Sequence, residues 1–243
     1  MKEKQDMKKR NIIRGFLVLV MVVMTGFFFY FGITKADEKN TENYHLIPWD
    51  DGQSGTYWMD GYLYWIDMKK KKISRYSDEE MTKEEVLVEA DKGTCIGECG
   101  LLYDDIIYYV LIDNKTHAGN LYSYNLKSRE SNKLGAAREL QRLEVLVDGK
   151  IYGCGYTKTG NPEVFLYDLK GKKLKQICKN GYFGQIVGKY IAIQTISSSG
   201  KSGMTLYRKS DGQKIKTITS NCSYYEFIDN TFYYVEPIAE FKY

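Results

Sequence analysis

The alternation of hydrophobic and polar residues divides the chain into an apolar run near the N-terminus and a long body of short alternating segments. Beyond residue 44, segments rich in Tyr, Ile, Leu and Val are separated by Gly, Asn, Asp, Lys and Ser, a pattern typical of β-strands and tight turns. Residues 136–147 come nearest to a helical period, but their second half fits a strand equally well. We therefore predict that the body, residues 44–243, is all-β.

A two-residue turn followed by an aromatic strand recurs five times along this body. The second turn residues follow one another at spacings of 44, 44, 39 and 42 residues, at Gly61, Asp105, Gly149, Gly188 and Asn230. A short strand precedes each turn, and further strands follow the aromatic strand in the first four units. Four strands at a period of about 40–45 residues are typical of β-propeller blades, because each sheet covers its apolar faces against its neighbours.

The two ends of the body suggest how such a ring could close. The fifth unit has strands at residues 224–228 and 231–236, and residues 238–243 resemble a third strand. We expect residues 45–49 (HLIPW) to supply its outermost strand, since pairing both ends in one blade removes an open sheet edge. The predicted fold is thus a β-propeller of about five four-stranded blades. Two alternatives stay open: a shortened form of a larger propeller, and a ring completed by another chain.

An uncharged run of nineteen residues, 15–33, precedes the body. As a helix rising about 1.5 Å per residue, it covers nearly the whole ~30 Å hydrocarbon core of a bilayer. Residues 1–14 contain six Lys and Arg, which predicts a cytoplasmic N-terminus and an extracytoplasmic body. Residues 34–43 then form a polar spacer. A cleaved signal peptide and a buried core helix are the alternatives to this uncleaved, single-pass signal-anchor.

The charge of the chain is concentrated in its N-terminal segment. The net charge over 243 residues is +4, of which residues 1–36 carry +5 and the remainder −1. A near-neutral body lacks the basic footprint of a nucleic-acid-binding protein. Hydrophobic residues make up 43% and charged residues 27%, which excludes a wholly disordered chain.

One unit of the repeat carries a recognisable motif. Residues 63–67 read LYWID and are followed by Ile73 and Arg75. The motif resembles the YWTD repeat of the low-density-lipoprotein-receptor β-propellers, with Ile66 in place of Thr, whereas later units lose the Trp and Asp. Residues 44–243 are similar to poorly characterised bacterial relatives of that propeller, which commonly follow an N-terminal signal or anchor. The resemblance implies a propeller fold and, by analogy, a non-catalytic recognition module.

Catalytic and metal-binding patterns are sparse in the sequence. The two histidines, His45 and His117, lie in the expected closing strand and in a hairpin loop, and we interpret both as bystanders. No G-x-S-x-G motif occurs, and Gly200-Lys201-Ser202 fits a hairpin turn better than a phosphate loop. We therefore predict no catalytic residue, no metal site and no cofactor.

The five cysteines leave their bonding open. Cys95 and Cys99 could pair only if Gly97 bends the chain, because in an extended strand their Cα atoms would stand about 13 Å apart. Cys178 and Cys222 form a second candidate pair near the starts of neighbouring units. An odd number of cysteines leaves at least one thiol free, so simple buried packing is our default expectation.

These observations favour a membrane-anchored, extracytoplasmic propeller that binds a protein, peptide or glycan. Its contact sites are expected in loops on a rigid scaffold. The candidate binding residues share a predicted position in or beside such loops: Trp58, Tyr62, His117, Asn120, Tyr156, Asn161 and Ser198. The alternatives are an extracytoplasmic enzyme that uses the propeller channel and a structural or sensory subunit of an envelope complex.

Overall fold

A computed structural model describes residues 44–47, 57–59, 61–67, 69, 71–77, 82–157, 159–222, 224–228 and 231–235. The chain divides into two compact units, residues 1–43 and 44–243, and every described residue belongs to the second. The predicted tail, membrane segment and spacer, and the third strand expected at residues 238–243, lie outside the described residues. In the described ranges, no helix has the length and apolar character needed to cross a membrane.

All regular elements in the described part of the chain are β-strands, as the sequence predicts. Three sheets are four-stranded antiparallel meanders. Sheet 1 contains β2 (Tyr57–Met59), β3 (Tyr62–Asp67), β4 (Lys72–Tyr76) and β5 (Glu84–Glu89). Sheet 3 contains β11 (Arg142–Val147), β12 (Lys150–Tyr156), β13 (Pro162–Asp168) and β14 (Lys173–Lys179). Sheet 4 contains β15 (Gly181–Val187), β16 (Tyr190–Ile196), β17 (Ser202–Arg208) and β18 (Lys214–Thr219).

The other two sheets depart from four strands. Sheet 2 has six: β1 (Tyr44–Ile47), β6 (Thr94–Ile96), β7 (Gly100–Tyr103), β8 (Ile106–Asp113), β9 (Gly119–Asn125) and β10 (Glu130–Ala136). In sheet 5 the described strands are β19 (Tyr224–Ile228) and β20 (Thr231–Val235). The ambiguous stretch 136–147 is not helical, since β11 occupies its second half.

Two of the repeated two-residue turns have consecutive positive φ angles. Asp104 and Asp105 have φ of 47° and 62°, and Asp148 and Gly149 have φ of 48° and 66°. Two consecutive positive φ angles are required by a type I′ turn, whose twist matches that of the flanking strands, and Asp and Gly tolerate them. These turns therefore join β7 to β8 in sheet 2 and β11 to β12 in sheet 3 as tight hairpins.

Neighbouring sheets share apolar clusters, so sheets 1, 2, 3 and 4 stack in that order. Consecutive residues of a strand serve different clusters because their side chains point to opposite faces, as Tyr109 and Val110 of β8 do. Representative members are Ile66, Ile73, Ile107 and Tyr109 between sheets 1 and 2; Val110, Leu121, Leu146 and Phe165 between sheets 2 and 3; and Tyr152, Leu166, Ile191 and Tyr207 between sheets 3 and 4.

Burial distinguishes an inner edge from an outer edge in sheets 3 and 4. In sheet 3 the first strand is mostly buried, whereas the first half of the fourth strand is exposed. In sheet 4 the first strand is mostly half-buried and the fourth strand is mostly exposed. The buried tyrosines support this packing: the rings of Tyr109 and Tyr152 are fully buried, and their hydroxyls donate to Ser131 Oγ (3.1 Å) and the Lys209 carbonyl (2.7 Å). Both tyrosines therefore have the structural role expected of an aromatic ring with a polar end.

The expectation for the closing strand is wrong. Residues 44–47 do not extend sheet 5: β1 pairs antiparallel with β7, from Tyr44 opposite Tyr103 to Ile47 opposite Gly100. Two physical reasons favour this position. The inner edge of β7 offers unpaired backbone groups, and Ile47, 1% exposed, joins the apolar cluster between sheets 1 and 2.

Candidate ligand-binding face

One end of sheets 2, 3 and 4 carries the β8–β9, β12–β13 and β16–β17 hairpins. We call this end the loop face, and it comprises residues 114–118, 157–161 and 197–201 together with the connection 137–141 between sheets 2 and 3. Backbone hydrogen bonds bring these segments together: the Gly119 N–H donates to the Arg138 carbonyl (3.1 Å), and the Gln141 N–H donates to the Cys154 carbonyl (2.9 Å). The hairpins of sheets 2 and 3 therefore open on the same side.

The structure divides the predicted binding residues between two ends of the body. His117, Asn120, Tyr156, Asn161 and Ser198 lie in or next to the hairpins of the loop face. The other two lie at the opposite end, beside the β2–β3 turn, where Trp58 pairs with Leu63 and Tyr62 with Met59. One ligand-binding surface therefore cannot include all seven residues.

Tyr62 already has internal partners. The Arg75 guanidinium lies 4.1 Å above the centroid of the Tyr62 ring, and the Arg75 Nε donates to Glu85 at 2.7 Å. The ring centroid of Tyr64 is 6.5 Å from that of Tyr62. These contacts indicate that Tyr62 helps to hold strands β3 to β5 together, which leaves the loop face as the better candidate.

Two hairpins of the loop face have the same internal hydrogen bonds. The Thr157 N–H donates to the Asn161 carbonyl and the Ser197 N–H to the Lys201 carbonyl, both at 2.9 Å. In each loop a pair of hydroxyls two residues apart is hydrogen-bonded, at 2.8 and 2.9 Å, and a glycine follows with φ of 80° or 76°. Residues 157 and 159–161 thus repeat the hydrogen bonds of residues 197 and 199–201, which fixes Asn161 and holds the exposed Ser198 on a defined backbone.

The third hairpin, in sheet 2, is built differently. The Asp113 carboxylate accepts hydrogen bonds from the Thr116 N–H (2.7 Å) and the Lys115 N–H (3.0 Å), and these bonds lower the pKa of Asp113. His117 is exposed, with φ of 56°, and its N–H donates to the Asp113 carbonyl at 2.8 Å. Asn120 follows in β9, paired with Leu111 of β8, and is half-buried.

A charged cluster that the sequence analysis did not single out lies beside these loops. Arg142, at the start of β11, donates from Nε to Glu144 at 2.5 Å, and its Nη1 lies 3.5 Å from Glu98. The Glu144 side chain is 12% exposed, whereas those of Arg142 and Glu98 are each 29% exposed. The cluster is therefore anchored by a buried carboxyl and presents a cation and an anion to solvent.

Burial sets the protonation behaviour of this cluster. It raises the pKa of the Glu144 carboxyl even though Arg142 favours the charged form. Burial also disfavours the charged form of Arg142, but the attraction of Glu144 and other neighbours is stronger than this effect, so the pKa of Arg142 is raised. Burial, with the adjacent Glu144, also raises the pKa of the Cys154 thiol well above its ordinary value. Cys154 is thus a protonated, buried thiol, which is the opposite of an activated nucleophile.

Two tyrosines extend the cluster toward the hairpins. The rings of Tyr156, at the end of β12, and Tyr182, in β15, meet edge to face with centroids 6.5 Å apart. Burial, followed by the charge of Glu98, raises the pKa of Tyr156. Both side chains are half-buried. We call Glu98, Arg142, Tyr156 and Tyr182 the inner site; it offers hydrogen bonds, charge and ring surface to a ligand.

Of these four residues, only Tyr156 is among the binding residues predicted from the sequence. A signal for Arg142 is present in the segment RLEVLV, where Arg142 and Glu144 alternate with buried apolar residues on an inner strand. Charged residues in such a strand point to a polar cluster. Glu98 had no comparable signal, because it lies in the irregular segment between β6 and β7 and approaches Arg142 only through folding.

The cysteines and potential metal ligands complete the chemistry of the described residues. None of the five cysteines forms a disulfide, so the candidate pairs Cys95–Cys99 and Cys178–Cys222 are not bonded. Cys154, Cys178 and Cys222 are buried, which confirms the expectation of simple packing for these three. Within the described ranges, no group of three or more His, Cys, Asp and Glu side chains could hold a metal ion.

Comparison with known proteins supports the fold. No protein-family model and no curated protein matches the sequence. Among solved structures, an oligogalacturonate lyase in complex with manganese aligns with a TM-score of 0.52 and 11% identity over 72% of this chain and 55% of its own. The body has a propeller-like fold. Two further structures are more weakly similar. TolB from Acinetobacter baumannii aligns with a TM-score of 0.45 and 14% identity over 65% of this chain and 40% of its own. A nidogen/laminin complex aligns with a TM-score of 0.42 and 10% identity over 65% of this chain and 59% of its own.

These similarities concern architecture alone. The chain spans 55% of the lyase, 40% of TolB and 59% of the nidogen/laminin chain that it matches. At identities of 10–14%, the similarity carries no information on ligand or activity.

Proposed function

We propose that this protein is a membrane-anchored, extracytoplasmic β-propeller of about five blades that binds a protein, peptide or glycan and catalyses no reaction. The single observation that carries the proposal is the repetition of one hydroxyl-lined hairpin, at residues 157–161 and 197–201, beside the inner site. Repeated loops of fixed geometry on stacked sheets are suited to recognition, because little ordering entropy is lost when a ligand binds.

The chemistry of the inner site favours binding. Its residues include two half-buried tyrosines and the ion pair of Arg142 and Glu98. The neighbouring hairpins add Asn161 and Ser198, so the surface combines rigid aromatic rings with small groups that donate and accept hydrogen bonds. The same combination of Tyr, Ser, Gly and Asn serves adaptable protein recognition in antibody loops.

The absence of catalysis is proposed from the state of the nearest nucleophile. Cys154 is buried and its pKa is raised, so at neutral pH it remains a thiol. Glu144, whose pKa burial also raises, has its carboxyl engaged with Arg142. These two groups fit a structural cluster better than an acid–base pair with access to a substrate.

The anchoring is proposed from the sequence. The uncharged segment 15–33 has the length of a membrane span, and the basic residues in 1–14 favour a cytoplasmic N-terminus. Under this arrangement the body, residues 44–243, faces outward behind a polar spacer. A ligand of the loop face would then be a component of the envelope or of the surroundings.

A pair of matched variants tests the binding proposal. Ser198→Arg places a large cation on an exposed loop of the loop face, and Ser210→Arg makes the same change in the exposed β17–β18 turn at the opposite end. The full-length variants and the wild type would be used to capture ligands from envelope membranes by cross-linking and to probe peptide and glycan arrays. We expect a ligand that the wild type and Ser210→Arg retain and Ser198→Arg loses.

Two results would contradict the proposal. One is the failure of the wild type to retain any protein, peptide or glycan. The other is a ligand that all three proteins retain equally, since its binding would not involve the loop face. Thermal unfolding of each variant confirms that a lost interaction does not reflect a lost fold.

A further inference from the structure

The outer edges of sheets 3 and 4 share an unusual arrangement of apolar and basic residues. In β14 the pairing with β13 skips Leu174, between Lys173 and Lys175, and in β18 the pairing with β17 skips Ile215. Such a bulge leaves one residue without a cross-strand partner. The skipped side chains are large and apolar, yet they are exposed by 43% and 41%. Neighbouring outer strands thus repeat the same motif, one aliphatic residue between two lysines.

The surrounding sequence is strongly basic. Residues 170–216 contain eleven Lys and Arg but a single acidic residue, Asp211. The lysines of the two motifs are exposed, and we call the surface formed by Lys173–Lys175 and Lys214–Lys216 the basic rim. The net charge of the whole chain does not reveal this local positive charge, because the acidic residues that balance it lie elsewhere in the chain.

The basic rim keeps most of its positive charge. Lys173 forms an ion pair with Glu139 at 2.8 Å. Lys175 instead donates to backbone carbonyls, at 2.9 Å to Gly212 and 3.4 Å to Asp211, and these bonds do not cancel its charge. With Asp211 engaged by Arg208 at 3.0 Å, little acidic charge opposes the rim.

The outer edge of sheet 1 shows that edge protection alone does not require this charge. Its strand β5 presents Glu84 and Glu85, which are paired with Lys72, Arg75 and Arg129. Charges of either sign, and bulges, keep an edge strand from pairing with another chain. The glutamates of that edge are neutralised internally, whereas among the described rim lysines only Lys173 forms an ion pair, which points to an additional role for the basic rim.

We propose that the basic rim docks against an anionic lipid membrane surface. Lysines close to such a surface are attracted by its negative potential, and the two exposed aliphatic side chains between them can enter the boundary between headgroups and acyl chains. A soluble anionic polymer could form ion pairs with the lysines, but it would provide no apolar medium in which Leu174 and Ile215 could be buried. This contact is separate from the loop face and from the ligand proposed for it.

The test uses the full chain reconstituted in lipid nanodiscs. Acetylation rates of individual lysines would be mapped by mass spectrometry in phosphatidylcholine alone and in an equal mixture of phosphatidylcholine and phosphatidylglycerol. We expect labelling of Lys214 and Lys216 to slow about fivefold in the anionic discs, as expected if each lysine gains about 1 kcal/mol near the surface. High salt should restore the rate, since about 1 M salt shortens the screening length to about 3 Å.

Internal controls and variants make the result specific. Lys115 and Lys201, exposed on the loop face, should label at the same rate in both kinds of disc. The double variant Leu174→Ser, Ile215→Ser should reduce the protection of the rim lysines while leaving the thermal unfolding of the protein unchanged, because both side chains are exposed.

Two outcomes would overturn the proposal. The first is equal labelling of the rim lysines in neutral and anionic discs. The second is protection by a soluble polyanion such as dextran sulfate with none by anionic discs, which would assign the rim to a polymer instead of a membrane.

Discussion

The close approach of Gly155 to the connection 137–141 yields a sharp prediction for the variant Gly155→Ala. A Cβ added at Gly155 would overlap the Glu139 carbonyl oxygen and lie 2.6 Å from its carbonyl carbon. Atoms in ordinary contact are about 3.5–4.0 Å apart, and the Glu139 oxygen lies closer to the added Cβ than its carbon does, so the connection must move by well over about 1 Å. The substitution therefore tests how firmly the loop face is joined to the sheets beneath it.

The connection has little freedom to make that movement. The Gln141 N–H donates to the Cys154 carbonyl at 2.9 Å, and the Ala137 N–H donates to the Gly119 carbonyl at 3.1 Å. Leu140, between them, is fully buried in the cluster of sheets 2 and 3. Overpacking costs about 1–3 kcal/mol and the loss of one such hydrogen bond about 1 kcal/mol, so we expect the free energy of unfolding to fall by about 2–4 kcal/mol.

Urea unfolding of the full chain, followed by intrinsic fluorescence in one non-ionic detergent, measures this change. The matched control is Gly93→Ala, because a Cβ at Gly93 meets no atom within 4 Å. The free energy of unfolding of Gly93→Ala should stay within about 0.5 kcal/mol of that of the wild type. If Gly155→Ala were as stable as Gly93→Ala, the tight contact between β12 and the connection would be refuted.

Two further predictions concern the buried charge and the buried thiols. Arg142→Met leaves the Glu144 carboxylate without its cation, so we expect a loss of about 3–5 kcal/mol at neutral pH. That loss of stability should shrink as the pH falls, because burial already raises the pKa of Glu144 and protonation removes its charge. Urea unfolding across a pH series measures this change. A loss of stability that does not depend on pH would contradict the prediction. Burial raises the pKa of Cys154 and Cys178, so these two thiols should react slowly with a thiol reagent in the native protein. The half-buried Cys95 and Cys99 should therefore be labelled first. Mass spectrometry of timed samples measures the order of labelling. Equal labelling rates at all four thiols without denaturant would be the contrary result.

The strand repeat was predictable because its determinants are local. A two-residue turn such as Asp148-Gly149 fixes the register of the hairpin that it joins, and the aromatic strand after it alternates between two apolar clusters. These features depend on residues a few positions apart, so the sequence carries them directly. The strands predicted to follow the aromatic strand in the first four units are present as β4, β9, β13 and β17.

The position of β1 and the inner site depend on contacts between distant residues. The segment at Tyr44–Ile47 could pair with any open sheet edge, and only the buried pocket for Ile47 selects β7. Likewise, Arg142 meets Glu98 because the chain leaves regular pairing between β6 and β7, which no local pattern announces. The sequence thus predicts the repeating unit well and the junctions between units poorly.

The pairing of β1 with β7 has a consequence for the order in which the protein folds. The four strands of sheet 3 are consecutive in the chain and can pair one after another as each hairpin forms. In contrast, the first strand of the body must wait until Gly100–Tyr103 has been synthesised and must close a long loop to reach it. During that interval a bare β-strand edge and an unburied isoleucine are accessible to chaperones and to other nascent chains.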